Sequence, residues 1–312
     1  MDWYLTLTAN PLNMMPAIGY HFVAFLTVAI WGSTFVFTKI LLQHGLSPAQ
    51  IFTLRFIVAY VLMVVGCLVT RRFKLFADSW RDEALMVLLG ITGGSLYFLT
   101  ENGSMLYTTA TNSSLIVCTC PLFAMLLVAI VYPHTEHITK LQAIGSLIAC
   151  LGMAVVVLNG HFVLHLSPLG DLLAFGACLC WAFYSLLMKP ALQRYDTLFI
   201  TRKVFIYGLI TIIPYYFVVP GFPPMEVILQ PEVLWNLLFL SVVASMLCFV
   251  MWNWVIGKLG AIVATNWVYF NPITTILFAW WLLHERITLW FLLGSLLIII
   301  GMMLSDRKKL IN

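Results

Sequence analysis

Two stretches of the chain repeat each other: EHITKLQAIGSLIACLGMAVVV from Glu136 and ERITLWFLLGSLLIIIGMML from Glu285. Alignment sets Glu136 on Glu285, Thr139 on Thr288, Gly145-Ser146 on Gly294-Ser295 and Gly152 on Gly301, at a constant offset of 149. Further pairs keep the register. WGSTFVFTK, Trp31 to Lys39, matches WAFYSLLMK, Trp181 to Lys189, at 150, while Asn102, Ala110 and Pro121 match Asn253, Ala261 and Pro272 at 151. The chain is one unit written twice, and its fold must use that unit twice.

The unit is made for lipid. Hydrophobic residues fill 62% of the chain and charged ones 9%, where a soluble domain carries about 25% charge. Charge-free runs such as Leu141 to His165 and Val204 to Met225 cannot be solvated loops. In a bilayer their backbone groups must be satisfied inside helices. Cuts at charges, prolines and polar turns give ten spans, near 18–40, 48–70, 84–106, 110–132, 140–159, 168–190, 198–219, 233–256, 261–283 and 288–305. The expected fold is all-α and integral to the membrane, with ten transmembrane helices. Its parts are a lead-in (1–17), a first five-helix repeat (18–159), a linker (160–167), a second repeat (168–305) and a basic tail (306–312).

Alternate loops differ in basic residues. One set holds Arg71, Arg72, Lys74 and Arg81, then Lys140, Lys189 and Arg194, Lys258, and the tail from Arg307; the other holds Lys39 and Arg286. Cytoplasmic loops are enriched in Lys and Arg, which puts both termini in the cytoplasm. Arg202 and Lys203 are expected to snorkel to that same side. Five spans is an odd number, so the second copy enters the membrane upside down. Two inverted repeats offer two similar conformations around a site at their interface, a transporter architecture.

The residues also carry a resemblance. AIWGSTFVFTK in the first span, a proline midway along spans four and nine, an acidic residue at the following turn and a glycine-spaced closing helix resemble the EamA-type transporters of the drug/metabolite transporter superfamily. The likeness runs from about Tyr20 to Asp306. It implies a secondary transporter that exports small organic solutes, such as amino acids or related metabolites, across a bacterial inner membrane by alternating access. A multidrug carrier is the other reading that it implies.

Glu101 is the acidic side chain well inside span three. Either it is buried and carries a proton or binds an ammonium group, or it reaches the headgroups of the outer surface. Trp31 and Thr34 on span one, Tyr97 beside Glu101, Trp181 and Tyr184 on span six, and Ser245 and Trp252 on span eight offer aromatic faces with polar edges, suited to an amphipathic solute. The same residue types also anchor or pack helices. Asn102, Asn253, Asn266 and Tyr269 complete the candidate site, with Asn112 and Asn271 behind them; amides orient solutes but also join helices. Pro121 and Pro272 are expected to break their helices beside the site. Lys39 and Lys189 serve either a solute carboxylate or helix C-terminal carbonyls. The seam Gly145, Ala149 and Gly152, with Gly294 and Gly301, either scaffolds the halves or pairs two subunits as a homodimer.

Other classes fit less well. The seven cysteines lie in apolar runs without metal or disulfide spacing, and HTEH lacks the order of zinc hydrolases. No nucleophile-and-base set shares a depth, so a membrane-embedded enzyme is disfavoured. The reading therefore names no catalytic residue, metal or cofactor, and its partners are a small-molecule substrate and the bilayer, not nucleic acid. Mid-span aromatics argue against a passive channel.

Overall fold

The computed structural model describes residues 17–71, 73–108, 110–133, 138–158, 167–218, 221–283 and 289–306. The lead-in before residue 17, nearly all of the linker, Arg286 and the basic tail from Arg307 lie outside the described residues, as does the side chain of Asn112.

All regular structure among the described residues is helical. The helices are α1 (Ala17–Gln43), α2 (Pro48–Val69), α3 (Trp80–Gly90), α4 (Leu96–Tyr107), α5 (Ala110–Val117), α6 (Cys120–Val131), α7 (Lys140–Leu158) and α8 (Pro168–Leu192). They continue as α9 (Thr197–Thr211), the short α10 (Met225–Ile228), α11 (Pro231–Leu238), α12 (Cys248–Leu259), α13 (Ala261–Asn266), α14 (Asn271–Leu283) and α15 (Leu289–Asp306). Seven stretches are long and apolar enough to cross a membrane, and Cys120–Val131, Lys140–Val155 and Leu292–Ser305 are shorter apolar helices. Both faces of these helices are apolar, as lipid requires. On α2, Phe52, Phe56, Ala59 and Met63 are buried, while Val61, Val65 and Leu68 on the opposite side are more than half exposed.

Helix ends follow local chemistry. Ser47 and Gln50 form a capping box ahead of Pro48, and the Asp196 carboxylate accepts from the Phe199 N–H at 2.9 Å. The turn between α12 and α13 is Gly260 alone, at φ 82°, where a side chain would be strained.

Several membrane stretches are interrupted. A π segment at Ile91–Ser95 joins α3 to α4, with Gly94 off helical geometry at φ −124°, ψ −108°, and another at Phe239–Leu247 joins α11 to α12. Unwound turns precede both expected breaker prolines: Cys118–Thr119 ahead of Pro121, and a 3₁₀ turn at Trp267–Phe270 ahead of Pro272. A proline has no N–H to give the preceding turn, so each helix restarts with its proline near the N-terminus.

Packing joins distant parts of the chain. Helix α4 lies on α8, α6 on α8, and α3 on α9; correspondingly α12 lies on α1, α14 on α1, and Phe239–Leu247 on α2. Helices α7 and α15 share the most extensive contact. A Cβ at Gly145 would sit 2.5 Å from the Gly301 carbonyl, one at Gly152 2.7 Å from that of Gly294, and one at Gly301 2.4 Å from the Ala149 nitrogen. The seam is thus consumed inside one chain, holding two antiparallel helices backbone to backbone.

Gly301→Ala should therefore overpack this crossing at a cost of about 1–3 kcal/mol. A lower melting temperature in detergent would register it. Gly66→Ala, whose new methyl meets nothing within 4 Å, should not lower the melt, since alanine is the better helix former.

Candidate functional site

Where α1, α4, α8 and α12 converge, aromatic rings build a small chamber. The Trp31 and Trp181 rings meet edge to face at 5.3 Å, and Trp31 also touches Trp252 at 5.1 Å while its indole N–H donates to the Ala244 carbonyl at 2.9 Å. Tyr97 lies 5.0 Å and Tyr184 5.2 Å from Trp181. The chamber has a volume of about 30 Å³, the share of one water molecule.

Two opposite charges border it. Glu101 is 8% exposed, and its carboxylate accepts a hydrogen bond from the Tyr97 hydroxyl at 2.8 Å. Arg55, on α2, is 2% exposed; its Nε donates to Ser245 Oγ at 3.1 Å, and its guanidinium lies over the Phe98 ring at 4.8 Å. Both line the chamber, and no ion pair joins them among the described residues. Burial of Glu101 favours the inward reading of the two that the sequence left open.

One turn along α8 from Trp181, a larger cavity begins. It holds about 380 Å³ and is walled by α6, α7, α8, α12, α13 and α15, with Gln142, Ser185, Lys189, Gln193 and Ser305 as polar lining. The Lys189 ammonium rests 4.5 Å over the Tyr132 ring. At the depth between the two spaces, the Tyr184 hydroxyl donates to Asn253 Oδ1 at 2.6 Å, and the Asn253 amide donates to Thr201 at 2.9 Å.

The structure thus gathers Trp31, Thr34, Tyr97, Glu101 and Trp181 around the chamber, with Ser245 behind Arg55 and with Tyr184, Trp252 and Asn253 in the next layer. Three candidates lie elsewhere. The Asn266 amide donates to Ser305 at 2.6 Å, Tyr269 exchanges a hydrogen bond with Ser146 at 2.9 Å, and the Asn102 amide faces the Pro48 carbonyl at 3.5 Å. These side chains join helices, and none lines the chamber. Lys39 donates to the Met105 carbonyl at 3.0 Å, in the last turn of α4, the helix-end role. Asn271 and Phe249 do line the chamber. Arg55 is the charged member that the sequence candidates lack, although it is the one Lys or Arg between Lys39 and Arg71.

Beyond the chamber, charged clasps pin hairpins to helices. Asp82 at the start of α3 pairs with Arg194 and accepts from the Tyr195 hydroxyl at 3.0 Å; Glu83 pairs with Lys203 and accepts from Tyr207. Arg202 donates to the Lys74 carbonyl and stacks 4.2 Å over Phe73. Arg202 and Lys203 are 3% and 4% exposed. Instead of snorkelling to water they turn into the protein, because carboxylate, carbonyl and aromatic partners are in reach. A weaker clasp lies at the opposite end, His44 with Glu232 at 3.5 Å. No His, Cys, Asp and Glu cluster among the described residues is arranged to hold a metal ion.

Comparison with known proteins agrees with this architecture. The EamA-like transporter family matches residues 18–158 and again 168–305. An uncharacterized transporter of Archaeoglobus fulgidus is 27% identical, across 93% of this chain and 98% of that protein. A probable terminal-alkyne amino-acid exporter of Streptantibioticus cattleyicolor is 28% identical, across 91% and 92%. A solved crystal structure superposes with a TM-score of 0.74 at 16% identity, covering 94% of this chain and 99% of the other, a likeness of fold.

The Glu83–Lys203 pair gives a stability test. Lys203→Met should strand a buried carboxylate and cost about 3–5 kcal/mol. The expected readout is a large drop in detergent melting temperature, with Glu83→Gln in the same chain restoring part of it.

Proposed function

The chain belongs to the EamA-like transporter family, and from that premise we propose that it exports small organic solutes, amino acids or related metabolites, across a bacterial inner membrane by alternating access. The observation that carries this reading is the charged aromatic chamber, set one helical turn from a cavity large enough for such a solute.

Two inverted five-helix halves account for the packing. Across a two-fold axis, a contact between one residue and the counterpart of a second must recur with the roles exchanged. Gly145 meets Gly301 and Gly152 meets Gly294, where Gly294 and Gly301 are the counterparts of Gly145 and Gly152 at an offset of 149. Asp82 pairs with Arg194 and Glu232 with His44, counterparts at 150. Residues on the axis touch their own counterparts, as Trp31 touches Trp181, and as Phe98 approaches Phe249 at 6.3 Å. The axis runs through the chamber.

The moving bodies are then not the halves as they stand in the sequence. Helices α3 to α6 pack with α8 and α9, while α11, α12, the Trp267–Phe270 turn and α14 pack with α1 or α2, and α13 bridges to α6 and α8; a clasp fastens each bundle. Rocking of these mixed bundles about the Trp31–Trp181 contact opens the chamber to one side and then the other. The end that carries Lys189, Arg194 and Lys258 faces the cytoplasm by its basic residues, so the 380 Å³ cavity is the cytoplasmic entrance. Both termini share that side.

Glu101 is the proton-coupling candidate, since a carboxylate buried in the chamber can exchange a proton for a cationic group of the solute. The relative named as a probable amino-acid exporter supports amino acids over xenobiotics.

Purified protein in liposomes tests the reading by counterflow of labelled amino acids, nucleobases and cationic dyes at two pH values. Exchange of at least one solute is expected, and Glu101→Gln should remove the response to a pH gradient. Full gradient dependence in that variant would take Glu101 out of the coupling role. A tether between cysteines at Leu192 and Gly257, which line the entrance together and where a Cβ added at Gly257 would meet Leu192 Cδ1 at 3.6 Å, should stop exchange and release it on reduction.

A further inference from the structure

We propose that Arg55 and Glu101 together select a zwitterion: once rocking has opened the chamber, which as it stands holds only about 30 Å³, Arg55 takes the carboxylate and Glu101 the ammonium of an α-amino acid whose apolar side chain lies against Phe249 and Trp181. This rests on the transporter reading and deepens it.

The first argument is electrostatic. Two opposite charges border a chamber walled by rings, yet they do not pair with each other. Each is held by a neutral partner that aims it without cancelling it. Ser245 takes the Nε–H of Arg55 and leaves the terminal nitrogens without a hydrogen bond among the described residues. Tyr97 gives its hydroxyl to one oxygen of Glu101 and leaves the other open. A charge that is buried and uncompensated is costly. A solute cation would neutralise Glu101 and leave Arg55, and an anion would do the reverse. A zwitterion satisfies both at once, and the fork of an arginine suits a carboxylate in bidentate geometry.

The second argument is the way in which the repeat is broken. At offsets of 149 to 151 the counterparts of Arg55 are Val204, Phe205 and Ile206, and those of Glu101 are Val250, Met251 and Trp252. Both charges therefore belong to the first copy alone. The second copy offers Phe249, which packs on Phe205 at 5.5 Å, and Trp181, 6.0 Å from Phe249. A solute at the axis meets rings from both copies but both charges on one side, with the Asn271 amide as the polar group of the other. An amino acid with an apolar side chain has that polarity.

Counterflow and ligand-induced thermal stabilisation of the whole protein test this with L-phenylalanine, L-leucine, 2-phenylethylamine, 3-phenylpropionate and L-phenylalanine methyl ester. The zwitterions should exchange and stabilise, and the singly charged analogues should be weaker by at least about tenfold, because each leaves one buried charge unmatched. Arg55→Gln should bring 2-phenylethylamine and the ester level with phenylalanine, and Glu101→Gln should do so for 3-phenylpropionate. Arg55→Lys, which keeps the charge, should retain preference for the zwitterion at reduced affinity. Should a variant not fold, the wild-type series decides by itself. Wild-type protein that handles the amine or the acid as well as the amino acids overturns the inference and leaves the transporter reading standing. Exchange of dyes or nucleobases without any amino acid does the same. Folded protein that exchanges no solute at all overturns both.

Discussion

A charge inside a bilayer has to be answered by the protein, because no water is there to do it. That requirement sorts the ionisable side chains of this chain into two kinds. Asp82, Glu83, Arg194 and Lys203 are answered by one another and by tyrosine hydroxyls, and Arg202 by a backbone carbonyl and aromatic faces that leave its Nη1 without a hydrogen bond. Their effect is mechanical, since each contact binds the α8–α9 hairpin to the start of α3 or to the segment just before it. Arg55 and Glu101 are answered only in part and stand in the same chamber. Unlike the clasps, these two carry opposite charges that border one chamber, and on the transport reading that marks the functional site more sharply than the size of any cavity.

Backbone proximity at the closing helices is the complementary constraint. Lipid supplies no hydrophobic drive between helices, so close packing has to supply the attraction. Three glycines let α7 and α15 touch backbone to backbone. On the alternating-access reading, this close-packed pair gives the rest of the molecule something to move against. The interrupted stretches at Ile91–Ser95, Phe239–Leu247, Cys118–Thr119 and Trp267–Phe270 all lie in helices outside that pair. Interruptions loosen the helical ladder where bending is useful, and here they concentrate in the helices that border the chamber and the entrance.

How much of this was legible in sequence depended on whether the signal was local or a matter of rotation about a helix. Pro121 and Pro272 announced their breaks because a missing N–H acts on the adjoining turn. Trp31 and Trp181 announced the centre because they stood in register and near mid-span. Asn266 and Tyr269 lie away from the chamber, and in a helix that is apolar all round nothing in the periodicity tells a face that meets a cavity from one that meets a neighbour. Their polar atoms serve Ser305 and Ser146 instead. Arg55 was legible, since a basic residue within a span is costly to bury and so is a stronger signal than the loop charges that set orientation. The π segments left no trace in the pattern beyond the pair Gly93-Gly94 in the first copy. The composition of the bundles was not legible at all, since sequence order suggests halves that move as units while the contacts cross between them.

The duplication and its defect serve different ends. Inverted symmetry makes two conformations nearly equal in energy, which alternating access needs. A fully symmetric site would favour solutes that look alike from both sides, and few metabolites do. Placing both charges in the first copy and leaving rings at the matched positions of the second keeps the mechanical symmetry, since it changes side chains in the chamber and leaves the clasps and the glycine crossing paired. It gives the site a direction. On the transport reading, the repeat sets how the protein moves, and the places where the repeat fails set what it recognises.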